Sequence, residues 1–176
     1  MTARRAAALA TFSRLISRPC LRRCRPLLAG TFPLGLDVRT SDLDVICQTN
    51  NPARLADNLR NCFAWYPGFR LYLRNIAGLP TVVAKFNYHG FPVEVFAQAR
   101  PPERQRAVRH LCVEKRLLRL GGDEVYDCVL TLKNLGLKTE PAFARCLKLG
   151  GDPYLALLEL ANLTNREVQE LLSGAG

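Results

Sequence analysis

Long apolar runs are missing from this chain: no stretch approaches the roughly 20 residues that a bilayer-spanning helix needs, which sets aside a membrane-spanning role. Histidine is scarce. The only two, His89 and His110, are not spaced as metal ligands beside Cys20 and Cys24, and those two cysteines lack a second pair nearby, so a zinc knuckle is not expected. The seven cysteines, Cys20, Cys24, Cys47, Cys62, Cys112, Cys128 and Cys146, form an odd set without the paired spacing that frames disulfides. Several fall on apolar helical faces, where cysteine serves as small core filler, and a reducing, cytoplasmic compartment is the expectation. Acids are absent from the opening: Arg4, Arg5, Arg14, Arg18, Arg22, Arg23 and Arg25 all precede the first carboxylate, Asp37. A basic start followed by an unbroken apolar centre and a small-residue cleavage site is also missing, as are internal repeats and low-complexity tracts.

What remains is a chain of 176 residues, 48% hydrophobic with a formal charge of +10, long enough to bury one core with a helical appendage. Most of the positive excess lies before Pro26. That opening reads as a targeting peptide, a nucleic-acid arm or, foremost, a surface helix with Ala8, Phe12, Leu15 and Ile16 turned inward and arginine on its wet face. Short buried strands follow at Pro26 to Ala29 and Leu43 to Cys47, separated by a Gly-rich turn. Asn51-Pro52 supplies a helix cap with proline at the first helical position, opening a helix to about Phe63. Three strands are expected at Phe69 to Ile76, Thr81 to Tyr88 and Phe91 to Gln98, the last two joined by a tight His89-Gly90 turn.

From Pro101 the apolar period becomes helical. One helix should run to Leu120 and stop at Gly121-Gly122. Asp123 should cap a second, Thr139 and Pro141 begin a third that ends at Gly150-Gly151, and Asp152-Pro153 open a fourth. A last helix carries Thr164 and Glu167 as a capping box, with Leu163 and Val168 as its staple. The expected fold class is therefore α+β: a basic N-terminal helix or arm over 1–26, a mixed sheet with flanking helices over 27–100, and a helical half over 101–176 packed on it.

The chemistry concentrates in Gly30-Thr31-Phe32-Pro33-Leu34-Gly35 and the later Ser41-Asp42-Leu43-Asp44-Val45-Ile46. Residues two apart on a strand share a face, so Asp42 and Asp44 point the same way. Glu94, in the apolar run Phe91 to Phe96, is a third acid where a core residue would cost less. Three carboxylates on neighbouring strands suit two divalent cations held roughly 4 Å apart for phosphoryl or nucleotidyl transfer. Magnesium, with manganese as a substitute, fits such oxygen ligands. The turn would supply N–H groups and the Thr31 hydroxyl to terminal phosphates.

Gly30-Thr31, Gly35 and Ser41-Asp42-Leu43-Asp44 together resemble the Gly-Ser, three residues, Gly, then Asp-x-Asp signature of the DNA-polymerase-beta-like nucleotidyltransferase superfamily, with threonine keeping the hydroxyl of the commoner serine. The segments Leu28 to Asp37, Ser41 to Cys47, Val93 to Gln98, Leu132 to Ala144 and Gly151 to Tyr154 are similar to the bacterial domain-of-unknown-function family 4269, placed in that fold by similarity. The resemblance implies a nucleotidyltransferase-like sheet. It implies Asp42, Asp44 and Glu94 as catalytic metal ligands, with Gly30, Thr31, Gly35 and Ser41 at a nucleoside triphosphate.

Other candidates carry two readings each. Lys85 is a phosphate contact or a solvent-facing strand residue. Lys133 and Lys138, beside the Gly136 turn, reach a triphosphate or serve helix ends, where Thr139 would be a cap. Glu114, four residues after His110, points inward to an arginine partner or to a cleft, and Tyr154 packs. The leading expectation is a magnesium-dependent enzyme that moves a nucleoside monophosphate from a triphosphate to an unidentified hydroxyl acceptor. Its competitors are a non-catalytic module on the same scaffold, binding nucleotide or nucleic acid through the basic opening, and a toxin-antitoxin component of nucleotidyltransferase type.

Overall fold

The computed structural model describes residues 1–175, which divide into two compact units: 1–35 with 40–108, and 36–39 with 109–175. In the first unit, alternation of apolar and polar residues builds a five-stranded sheet ordered β1-β2-β5-β4-β3, from β1 (Leu27–Ala29), β2 (Leu43–Gln48), β3 (Arg70–Ile76), β4 (Leu79–Tyr88) and β5 (Phe91–Gln98). Only the β2–β5 pair is parallel; the other three pairings are antiparallel. The β4–β5 hairpin turns at His89 and Gly90, both at positive φ (47° and 83°), the backbone twist that a two-residue hairpin loop requires.

One face of this sheet is apolar. Val45, Val82, Phe86, Val93 and Val95 form a core with Leu15 of α1 (Ala3–Ile16) and with Leu55, Leu59 and Phe63 of α2 (Pro52–Phe63). Phe63 stacks on Phe86 with ring centroids 4.4 Å apart. As expected, α2 starts at a capped proline: the Asn51 side chain accepts a hydrogen bond from the Arg54 amide at 2.9 Å. The basic opening is no detached arm, since Ala8, Thr11 and Leu15 are buried and α1 belongs to the first unit. Cys20, Cys24, Cys47 and Cys62 lie in or against the same apolar cluster. Burial pushes the thiols of Cys20, Cys24 and Cys47 up, which keeps them protonated and suits the filler role.

The second unit is helical, and here the structure corrects several expectations. The break expected at Gly121-Gly122 is present: α3 (Arg106–Asn134) is two helices joined across a kink at Gly122, whose φ of 57° and ψ of −147° are not helical. Thr139 does not cap α4 (Thr139–Cys146): the cap is Lys138, without a side-chain bond, and the Thr139 hydroxyl accepts from the Lys133 ammonium at 3.0 Å. This helix also ends early, Lys148 at φ 52° taking the chain out of it before Gly150. The largest correction is a disulfide between Cys128 and Cys146, whose Cα atoms lie 6.1 Å apart. Their separation of 18 residues matches no short motif, because tertiary packing, not local spacing, brings the two helices together there. Two caps agree with expectation. Asp152 accepts from the amides of Tyr154 and Leu155 before α5 (Pro153–Glu159), and Thr164 and Glu167 form the reciprocal box before α6 (Asn165–Ala175). Among the described residues no helix is long and apolar enough to cross a membrane.

Candidate active site on the sheet

The turn between β1 and β2 depends on two left-handed residues, Gly30 (φ 68°) and Gly35 (φ 76°). A Cβ on Gly30 would land on Oδ2 of Asp44, so glycine is what lets that carboxylate lie against the turn. Phe32 is fully buried and meets Phe91 edge to face at 5.8 Å, anchoring the turn to β5. Two arginines of α1 grip it from outside. Arg4 donates from Nη2 to the Ser41 carbonyl at 3.4 Å with its guanidinium 5.1 Å from the Phe91 ring, and Arg5 donates to the Pro33 carbonyl at 3.2 Å. Neither was singled out in the sequence, where they read as members of a basic run.

Strand register then lays a row of residues across the sheet. Ala29 pairs with Asp44, Asp44 with Glu94, Glu94 with Lys85, and Lys85 with Arg70. Directly opposed residues point to the same side, so Asp44, Glu94 and Lys85 share the face opposite the apolar core. Asp42, two residues before Asp44, enters from the start of β2. Carboxylates at half-buried strand positions cost stability relative to apolar residues, which makes this row the candidate site.

Lys85 forms an ion pair with Glu94. Its ammonium is held above the ordinary lysine range first by the hydrogen bond to Glu94, against an opposing effect of burial, and then by the fields of Glu94, Asp42 and Asp44. Three negative groups and one positive group therefore share one neighbourhood. Among the described residues, no group of three or more His, Cys, Asp or Glu is gathered closely enough to hold a metal ion. Glu94, the third acid of the expected cage, is paired with Lys85. Asp42 and Asp44 still present the hard oxygen donors that magnesium takes.

Beside Glu94 on the same side lies a cavity of about 310 Å³, lined among others by Ile46, Phe96, Gln98, Arg100 and Arg106. Gln105 closes its edge, donating through Nε2 to the carbonyls of Cys47 (2.7 Å) and Arg100 (2.8 Å). The first unit thus holds Gly30, Thr31, Gly35, Ser41, Asp42, Asp44, Lys85 and Glu94, with Thr31 and Ser41 buried. Lys133 and Lys138 belong to the second unit, where Lys133 is buried and bonded to Thr139, and Lys138 is exposed at the start of α4. Glu114 is buried as expected, and the neighbouring His110 sits between the Tyr154 carbonyl (2.9 Å) and Glu140 (3.5 Å).

Comparison with known proteins bears on the fold. The model of the family described as Domain of unknown function (DUF4269) matches residues 14–160. No curated protein matches the chain in sequence. Among solved structures, Cid1, described by its RNA terminal uridylyl transferase activity, is similar with a TM-score of 0.60 at 14% identity, over 87% of this chain and 50% of that one. The Cid1 poly(U) polymerase with MgGTP bound gives 0.60 at 13%, over 84% and 50%. A structure of the GLD-2/RNP-8 complex gives 0.50 at 14%, over 97% and 73%. The chain spans about half the length of the Cid1 chains it matches. At such identities the likeness establishes a nucleotidyltransferase-like fold.

Proposed function

The chain belongs to the DUF4269 family and has a nucleotidyltransferase-like fold, and from that premise we propose that it transfers a nucleoside monophosphate from a triphosphate to a hydroxyl acceptor. The observation that carries this reading is the row Asp44, Glu94, Lys85 beside a left-handed glycine turn, with Asp42 at its entrance. In the reaction, the acceptor oxygen bonds to the α-phosphorus, the bond from that phosphorus to the β-bridging oxygen breaks, and pyrophosphate leaves while the hydroxyl loses its proton.

Asp42 and Asp44 would hold magnesium, which when bound neutralises charge on the phosphates. The Gly30 to Gly35 turn receives the phosphates, and its grip by Arg4 and Arg5 fixes it against the Asp42 segment. Glu94 faces the acceptor and takes the hydroxyl proton. Lys85 balances Glu94 until substrate arrives, then is placed to meet a phosphate. Lys133 is assigned a structural role instead, because its ammonium is spent on Thr139.

The Lys85–Glu94 pair also favours a second reading, in which the site binds nucleotide without turning it over, because a carboxylate already neutralised by lysine is a poor base. Titration of the full chain with ATP, GTP, CTP and UTP, with and without magnesium, together with pyrophosphate release across an acceptor panel, separates the two. Asp42→Asn and Asp44→Asn should each lower metal-dependent release by roughly 10²–10³-fold with an unchanged thermal midpoint. Release that persists in both variants refutes the assignment. Metal-dependent binding without release across the panel selects the second reading.

A further inference from the structure

The acid row does not end at Lys85. Its next member is Arg70, on β3, which is the edge strand of the sheet. Alternation puts Tyr72 and Arg74 on the same side as Arg70, opposite Val83 and Thr81 of β4. The Arg74 guanidinium stands 4.8 Å from the centre of the Tyr72 ring, so a cation and an aromatic face are presented together. Further along this side lies the cavity beside Glu94, with Arg100 and Arg106 in its lining. Arg70, Arg74, Arg100 and Arg106 are all exposed, and none makes an ion pair among the described residues.

From this arrangement, and resting on the transferase reading above, we infer that the acceptor is the terminal hydroxyl of a single-stranded polynucleotide whose upstream nucleotides lie along Arg70, Tyr72 and Arg74. Three features select that chemistry. The cations are spread along a strand instead of converging on one point: four strand residues cover about 13 Å, a span for successive phosphates and not for one small anion. An aromatic ring between two arginines is a base-stacking platform that tolerates any base. And the track leads, through Lys85, to the carboxylate assigned to the acceptor hydroxyl. An acidic peptide would match the charge but brings no planar base to stack on the Tyr72–Arg74 surface.

The test uses full-length protein and a fluorescently labelled single strand of about 15 nucleotides, in ribose and deoxyribose forms, read by anisotropy between about 50 and 200 mM salt. Binding of either form that weakens with salt is expected, the preferred form identifying the sugar. Arg70→Ala with Arg74→Ala should weaken it about tenfold and lower the salt slope by about 1.4, two contacts at about 0.7 each for a single strand. Tyr72→Ala should weaken it roughly 5- to 100-fold with the slope unchanged. Arg119→Ala, an exposed arginine of the helical unit, should change neither.

Absence of binding, equal weakening by Arg119→Ala, or displacement by polyglutamate as readily as by unlabelled RNA would each overturn the inference. Magnesium–triphosphate binding is measured on the same samples. If it persists while the oligonucleotide fails to bind, this inference alone falls; if the wild type binds no triphosphate, the transferase reading falls with it.

Discussion

Both units bury polar side chains, but they treat them differently. In the helical unit such groups are consumed internally: His110 lies between the Tyr154 carbonyl and Glu140, and Lys133 is bonded to Thr139. In the sheet unit, by contrast, Asp44 and Glu94 occupy strand positions where alternation alone would accept apolar residues, and Glu94 meets Lys85 on the open face of the sheet. A polar group whose neighbours complete its bonds holds structure together. Carboxylates set on a sheet face at a cost in stability are instead the candidates for chemistry.

The sharpest way to break this contrast is to remove the cross-link from the helical unit. Closing a loop of this size contributes about 3 kcal/mol, so reduction, or Cys128→Ser with Cys146→Ser, should lower the thermal midpoint by several degrees. A scan with and without dithiothreitol measures it, and the double variant should no longer respond to the reductant. An unchanged midpoint would mean that packing, not the disulfide, holds α3 to α4.

Next in size is Gly30→Ala. A left-handed alanine costs about 1 kcal/mol, and the new methyl also displaces the Asp44 carboxylate. The midpoint should fall modestly while magnesium–triphosphate affinity falls further, whereas Gly78→Ala, in a β3–β4 turn with open space around it, should show only the modest stability loss. Equal effects of the two substitutions on nucleotide binding would erase the distinction drawn for the acid row.

The smallest effect is electrostatic. Because Lys85 titrates above its ordinary value in the folded chain, its pairing adds stability that is fully present below the usual lysine pKa of 10.5 and is lost as pH rises through the elevated folded value. With both partners partly exposed, the pair contributes no more than about 1 kcal/mol. Denaturation midpoints followed from neutral to alkaline pH should therefore decline slightly more in the wild type than in Lys85→Met. Parallel curves would show that Glu94 gains nothing from its neighbour.

Much of this was legible beforehand. The strand boundaries at Phe91 and Gln98, the Asn51-Pro52 cap and the Thr164–Glu167 box agree with the structure because each depends on residues within a few positions of one another. The acid motif was visible for the same reason. Lys85 had two readings in the sequence, and neither was an ion pair with Glu94, since the pairing arises only when β4 and β5 align. The Arg4 and Arg5 clamp, reaching across 37 and 28 residues, and the Cys128–Cys146 bond were likewise out of reach of local pattern.

By itself, then, the amino-acid order determined which segments turn, cap, alternate and coil, and that two aspartates share one side of a strand, because these follow from backbone sterics and short-range hydrogen bonding. Tertiary structure alone decided which carboxylate meets which cation, that α1 holds the glycine turn, and that a basic, aromatic strand edge continues the acid row. Those outcomes depend on register between strands distant in the chain, and register is set by the packing of the whole sheet.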